Sequence, residues 1–166
     1  MKTRRVRRVL SLIVAVFWSL SSVPAADEAT RRIDLDAFWR EVARSVLEGD
    51  FEAYKATCHP DGVLVNGTQR TSYPLTQALA KWKQGFHDTR AGKMSARVEF
   101  RFSQRWGDAT TAHETGIFRY VAIDSAGQGR TNLVHLEALL VRAGTWKVLM
   151  EYQKGPATAE EWERLQ

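Results

Sequence analysis

His135 and Glu137 stand two residues apart in the alternating run "VHLEALLV" (134–141). On a strand their side chains share one face. A carboxylate beside an imidazole raises the imidazole's pKa, and burial raises the carboxylate's. Such a pair suits general acid–base catalysis, the orienting of a polar ligand, or a buried contact that holds register. Glu114 is a third candidate, because it shares strand parity with Gly116, Phe118 and Tyr120, while His113 takes the opposite face. A carboxylate near an exposed strand end is its alternative. His59 precedes Pro60 in a loop and reads as solvated, and His87 reads as lying on the outer face of a helix.

Other chemistries find little support. No His-x-x-x-His or close Cys/His cluster is present, so neither a metal nor a cofactor is expected. "SAGQGR" (125–130) lacks the strand–loop–helix context of a phosphate loop. No nucleophile-elbow sequence supports a Ser-His-Asp triad. Cys58, the single cysteine, cannot form an internal disulfide and reads as a small buried hydrophobe at a helix end. Of the six tryptophans, Trp39, Trp82 and Trp146 fall at periodic apolar positions. Only Trp106 and Trp162 read as exposed, which argues against a carbohydrate platform.

These residues need elements to hold them. Ile33, Phe38, Val42, Val46 and Leu47 recur near helical spacing, with Asp34 or Asp36 as N-cap and Gly49 as the stop. Asp50 caps a second, shorter helix from Phe51 to about Cys58, ended by His59-Pro60. Residues 62–66 read as a short strand. Pro74 suits the first turn of a third helix, whose apolar face is Leu75, Leu79, Trp82 and Phe86. From Met94 the alternation is that of strands: one from 94 ending before Gly107-Asp108, one through "TTAHETGIFRYVAI", one over 130–142 after the loop "DSAGQG", and one over 145–154. Short loops make these four an antiparallel meander. A terminal helix capped near Thr158 follows and is expected to dock weakly or fray. Helices first and strands afterwards indicate α+β, with three N-terminal helices packed on one face of a curved antiparallel sheet.

The first residues stand apart from this domain. Lys2, Arg4, Arg5, Arg7 and Arg8 precede an apolar run from Val9 to Leu20, and Val23-x-Ala25 supplies a small-residue cleavage site. This is the pattern of a secretory signal peptide over 1–25, leaving one domain over 26–166. An uncleaved anchor is the alternative, but the apolar run is short for a bilayer. The arginine pairs also permit a twin-arginine export route. The protein is expected to be exported, periplasmic or secreted, touching membrane only through this signal. Five of the 24 basic residues and none of the 19 acidic ones lie in the signal, so the remainder is balanced in charge. The high pI therefore gives no ground for nucleic-acid binding.

"LEGDFEAYKATCHPDGVLV" (47–65) and "LLVRAGTWKVLMEY" (139–152) resemble the opening and the last hairpin of the nuclear transport factor 2-like superfamily, in its SnoaL-like and DUF4440-type branch. The resemblance covers about 34–154 and rests on element order and spacing. It implies a cone whose bent sheet wraps a long helix and leaves a pocket open at one end. It also implies that His135, Glu137 and Leu139 line that pocket with Glu114, Gly116, Phe118 and Tyr120. The helices would add Tyr54, Trp82 and Phe86. The superfamily's isomerases carry a catalytic aspartate just after the first strand, where this chain has Asn66, and an amide cannot abstract a proton.

Three functions stay open: an exported small-molecule-binding or accessory domain; a SnoaL-like enzyme of dehydratase, isomerase or hydrolase type using His135 and Glu137; and a dimerisation module with a vestigial pocket. Many members of the superfamily dimerise through the outer sheet face. Here Val134, Leu136, Ala138 and Leu140, with His113, Thr115, Ile117, Val121 and Ile123 and with Arg119 as the one charge among the latter, are expected to form that face of a homodimer.

Overall fold

The structure, a computed structural model, describes residues 25–165. The expected signal segment lies outside them apart from Ala25. Helix α1 (Ala25–Glu48) begins well before the expected caps. Its first turns carry Ala, Glu and Arg, which are strong helix formers. Asp34 and Asp36 therefore lie inside the helix, where Asp34 pairs with Arg142 at 3.0 Å and Asp36 with Arg105 at 2.5 Å. The stripe that enters the core is Leu35, Phe38, Trp39, Val42 and Val46, whereas Ile33 and Leu47 are 66% and 60% exposed.

Gly49 ends α1 with φ +66°, and a Cβ there would lie 2.4 Å from the Phe86 carbonyl oxygen. Only glycine allows both the left-handed turn and this approach. Helix α2 (Phe51–Ala56) starts from Asp50, whose side chain accepts from the Ala53 amide at 3.2 Å. Strand β1 (Cys58–Asn66) starts four residues earlier than expected and folds back on a short β2 (Thr71–Pro74) that the sequence does not announce. Helix α3 (Leu75–Arg90) follows, with Pro74 at its N-cap. Then come β3 (Met94–Gly107), β4 (Thr111–Asp124), β5 (Gly129–Ala143), β6 (Thr145–Pro156) and α4 (Ala159–Arg164).

The strands form one open sheet in the order β2-β1-β6-β5-β4-β3. All neighbours are antiparallel except β1 and β6, which run parallel. Helices α1 to α3 pack on the inner face, and the core lies between them and the sheet. The molecule is thus α+β, with three helices on a curved, unclosed sheet.

The register of β5 corrects the expected face. Val134 pairs with Phe118 and Leu136 with Gly116, so the inner string of β5 is Val134, Leu136, Ala138 and Leu140. Leu136, Ala138 and Leu140 are at most 1% exposed. His135 pairs with Ile117, Glu137 with Thr115 and Leu139 with His113, on the outer face. Strand period 2 leaves no intermediate outcome. Leu136, Ala138 and Leu140, expected on the dimer face, are core, and Val134 is half-buried beside them.

Helix α4 lies against that outer face and is firmly docked. Thr158 and Glu161 form a reciprocal capping box. Trp162, expected to be exposed, is 2% exposed. The Arg101 and Arg119 guanidinium groups sit over its ring, 4.3 and 5.1 Å from the centroid. Arg101 also donates to the Trp162 carbonyl at 2.8 Å.

Candidate functional site

Helices and sheet enclose a cavity of about 590 Å³. Its walls are aromatic because the three helices and strands β3 and β4 turn rings inward. Trp39 comes from α1, Tyr54 from α2, Trp82 and Phe86 from α3, Phe100 from β3, and Phe118 and Tyr120 from β4. The rings contact one another: Tyr54 meets Phe86 at 4.9 Å and Trp82 edge-on at 6.0 Å, and Trp39 meets Phe100 at 4.4 Å between centroids. Val134, Leu136 and Val148 add to the apolar lining from β5 and β6. Size and composition fit a small-molecule pocket.

Of the residues named from sequence, Tyr54, Trp82, Phe86, Phe118 and Tyr120 line this cavity. His135, Glu137 and Leu139 do not, because β5 turns them outward. His135 lies 3.4 Å from Glu161 of α4. Glu137 bonds His113 at 2.8 Å and Lys154 at 3.2 Å, and its carboxyl is held below the usual range, first by the His113 hydrogen bond and then by Lys154. Glu114 faces inward but belongs to the core. It is fully buried, accepts from the Trp39 indole N–H and pairs with Arg105 at 2.5 Å. Its place in the site is indirect, since it holds Trp39 in the cavity wall. Asn66 ends β1, accepts from the Gln69 amide at 2.8 Å and lies off the cavity.

The carboxyl group that does face the cavity is Glu151 of β6, outside the candidates that the sequence offers. Gln153, two residues on, donates to its Oε1 at 2.7 Å. Burial raises the Glu151 carboxyl above its ordinary value, and the Gln153 hydrogen bond offsets only part of this. The same surroundings raise the Tyr54 phenol well above its ordinary value, chiefly through burial and then through Glu151, Cys58 and Tyr120. Cys58 also lines the cavity, and burial pushes its thiol up to about 12. It is a protonated thiol at neutral pH and no nucleophile. A neutral carboxyl with one oxygen already bonded to Gln153 presents its other oxygen as an O–H donor; ionised, it is a strong acceptor.

Glu151 was hidden by a bulge. Leu140 pairs with Val148 but Leu139 with Met150, so Leu149 is an extra residue in β6. Alternation carried on from Trp146 and Val148 would turn Glu151 outward; the bulge reverses it.

Two cations, Lys81 of α3 and Arg130 of β5, are exposed and stand where the cavity lining reaches solvent. A shallower groove of about 480 Å³ adjoins the cavity and shares Asn132, Val134 and Gln153 with it. Among the described residues no group of three His, Cys, Asp or Glu side chains is placed to hold a metal, and no helix is long and apolar enough to cross a membrane.

No family model and no curated protein matches the sequence. Solved structures do match the fold. A conserved protein from Planctomyces limnophilus superposes with a TM-score of 0.64 at 12% identity, over 75% of this chain and 94% of that one. A nuclear transport factor 2-like superfamily protein from Salmonella enterica serovar Typhimurium gives 0.58 at 13% identity, over 80% and 95%. An NTF-2-like protein of unknown function from Shewanella oneidensis gives 0.56 at 13% identity, over 74% and 97%. At such identities the likeness bears on architecture alone, and the architecture is that of the cone-shaped nuclear transport factor 2-like fold.

Proposed function

We propose that this chain is an exported, homodimeric domain of the SnoaL-like type that binds a small, largely apolar molecule inside the cone, with Glu151 as the polar anchor. The carrying observation is the Glu151 carboxyl, facing an aromatic cavity and braced by Gln153 at 2.7 Å. Gln153 occupies one oxygen of this carboxyl, and a ligand hydroxyl or carbonyl can bond the other. Export rests on the sequence pattern of residues 1–25.

A second reading draws on the same carboxyl. In a SnoaL-like enzyme of dehydratase, isomerase or hydrolase type, Glu151 would move a proton within the electrostatic reach of the Tyr54 phenol. Its raised basicity favours this role. The outward His135–Glu137 pair takes no part.

Equilibrium dialysis with 1-naphthol and naphthalene tests the anchor. 1-Naphthol should bind about three- to tenfold tighter than naphthalene, the worth of one hydrogen bond. Glu151→Leu should equalise the two. Failure of both compounds to bind, or an unchanged preference in the variant, would leave a vestigial pocket as the better reading.

A further inference from the structure

The charged residues lining the cavity are Lys81, Arg130 and Glu151. They are unevenly placed. Glu151 lines the inner wall, half-buried and aligned in the sheet with the buried Leu64 and Ala138. Lys81 and Arg130 are exposed and come from different elements, α3 and the start of β5. Neither has a carboxylate at ion-pair distance among the described residues; the Lys81 ammonium rests 4.4 Å from the Tyr73 ring centroid.

We propose that the cavity selects amphipathic monoanions: molecules with an aromatic or alicyclic body that fills the cone and a single carboxylate or sulfonate held at the rim by Lys81 and Arg130. This rests on the small-molecule reading above and deepens it by naming the ligand class. Orientation follows from solvation. An anion placed deep would lose its water and meet the Glu151 carboxyl. At the rim it keeps part of its hydration and gains two cations on flexible stems. A cationic ligand would have to pass those same two charges.

Two dyes that differ by one sulfonate test this: anionic 1-anilinonaphthalene-8-sulfonate and uncharged N-phenyl-1-naphthylamine, titrated by fluorescence into the full chain. The anionic dye should bind about tenfold tighter at low salt, and the advantage should shrink as salt is added. The double variant Lys81→Glu/Arg130→Glu should abolish that advantage and leave the neutral dye within about twofold of its original affinity. A third variant checks the location. A Cβ at Gly85, on the cavity lining, meets nothing within 4 Å, so Gly85→Trp can plug the opening without backbone strain. It should weaken both dyes. Equal affinities, or an anion advantage that survives either the double variant or the plug, would overturn the proposal. Binding of the neutral dye without anion preference overturns it and spares the cavity reading; binding of neither dye removes both.

Discussion

Glu151 and Glu137 titrate in opposite senses, and their effects on stability have opposite signs. Glu137 is held low by His113 and Lys154, so its contribution is present above the ordinary carboxylate value and is lost as pH falls through the folded value. Glu151 is raised by burial, so its contribution is full below the ordinary value of 4.5 and is lost as pH rises through the folded one. Glu151→Gln keeps the shape and removes the titration. Its stability relative to the natural chain should therefore increase as pH rises above that value, read from denaturant midpoints across a pH series. A gap that is flat with pH would mean Glu151 is not desolvated. Glu114 gives a sharper test. It is the buried partner of Arg105, whose side chain is only 15% exposed, and it also holds the Trp39 indole. Glu114→Leu should cost about 3–5 kcal/mol because it leaves the Trp39 indole N–H without its acceptor and the Arg105 guanidinium with only the exposed Asp36. Adding Arg105→Met should recover much of that loss. If the double variant is no more stable than Glu114→Leu, the pair is not coupled.

At the scale of elements, much of the fold was legible and the faces of two strands were not. The helix of Leu75, Leu79 and Phe86, the Gly49-Asp50 boundary and the alternation from Met94 each carry a local physical signal. Strand faces depend instead on counting. Taking Asp124–Gly129 as the loop pairs Ile123 with Arg130 and puts His135 beside Phe118. In the structure Gly129 already belongs to β5 and pairs with Ile123, which puts Val134 beside Phe118. One residue of strand boundary turned the whole string over. The Asp124 side chain accepts from the Ala126 and Gln128 amides at 2.9 Å each, and Gly127 takes φ +77°, which fixes the tighter loop. The bulge at Leu149 did the same to Glu151. Helix α4 escaped for another reason: its one buried residue is Trp162, which sequence periodicity cannot weigh. Ile117, paired with Arg101 on one side and His135 on the other, lies under this helix and is 2% exposed. Trp162→Ala should destabilise the fold by about 3–5 kcal/mol. Thr158→Ala, which removes the cap, should cost about 1 kcal/mol. Equilibrium denaturation separates them; a Trp162→Ala cost no larger than that of Thr158→Ala would show a frayed rather than a docked helix.

For the whole molecule, the proposed assembly rests on the outer face of the sheet. Helix α4 occupies the part where Arg101, Arg119 and His135 lie. Further along the strands, register aligns Trp106, His113, Leu139, Met150 and Val63 in one row across β3, β4, β5, β6 and β1. Glu137, Tyr152 and Val65 run beside it. Trp106 is 61% and Val63 37% exposed, so the row is an apolar strip open to solvent. The His113–Glu137–Lys154 contacts lie within it and satisfy its charges locally. A self-complementary strip of this kind suits a two-fold contact. The proposed homodimer should therefore form through Leu139, Met150 and Tyr152 rather than through Leu136 and Leu140, which are core. Two half-interfaces across five strands can reach the roughly 1,200–2,000 Å² that stable dimers bury. Sedimentation at about tens of micromolar should give a dimer, the range in which a contact of micromolar affinity is populated. Leu139→Glu should give a folded monomer, because the side chain is only partly buried in the single chain. Leu136→Glu should instead unfold the protein, since it places a charge where Leu136 is 1% exposed. A natural chain that sediments as a monomer, or a Leu139→Glu variant that remains dimeric, would place the contact elsewhere or remove it.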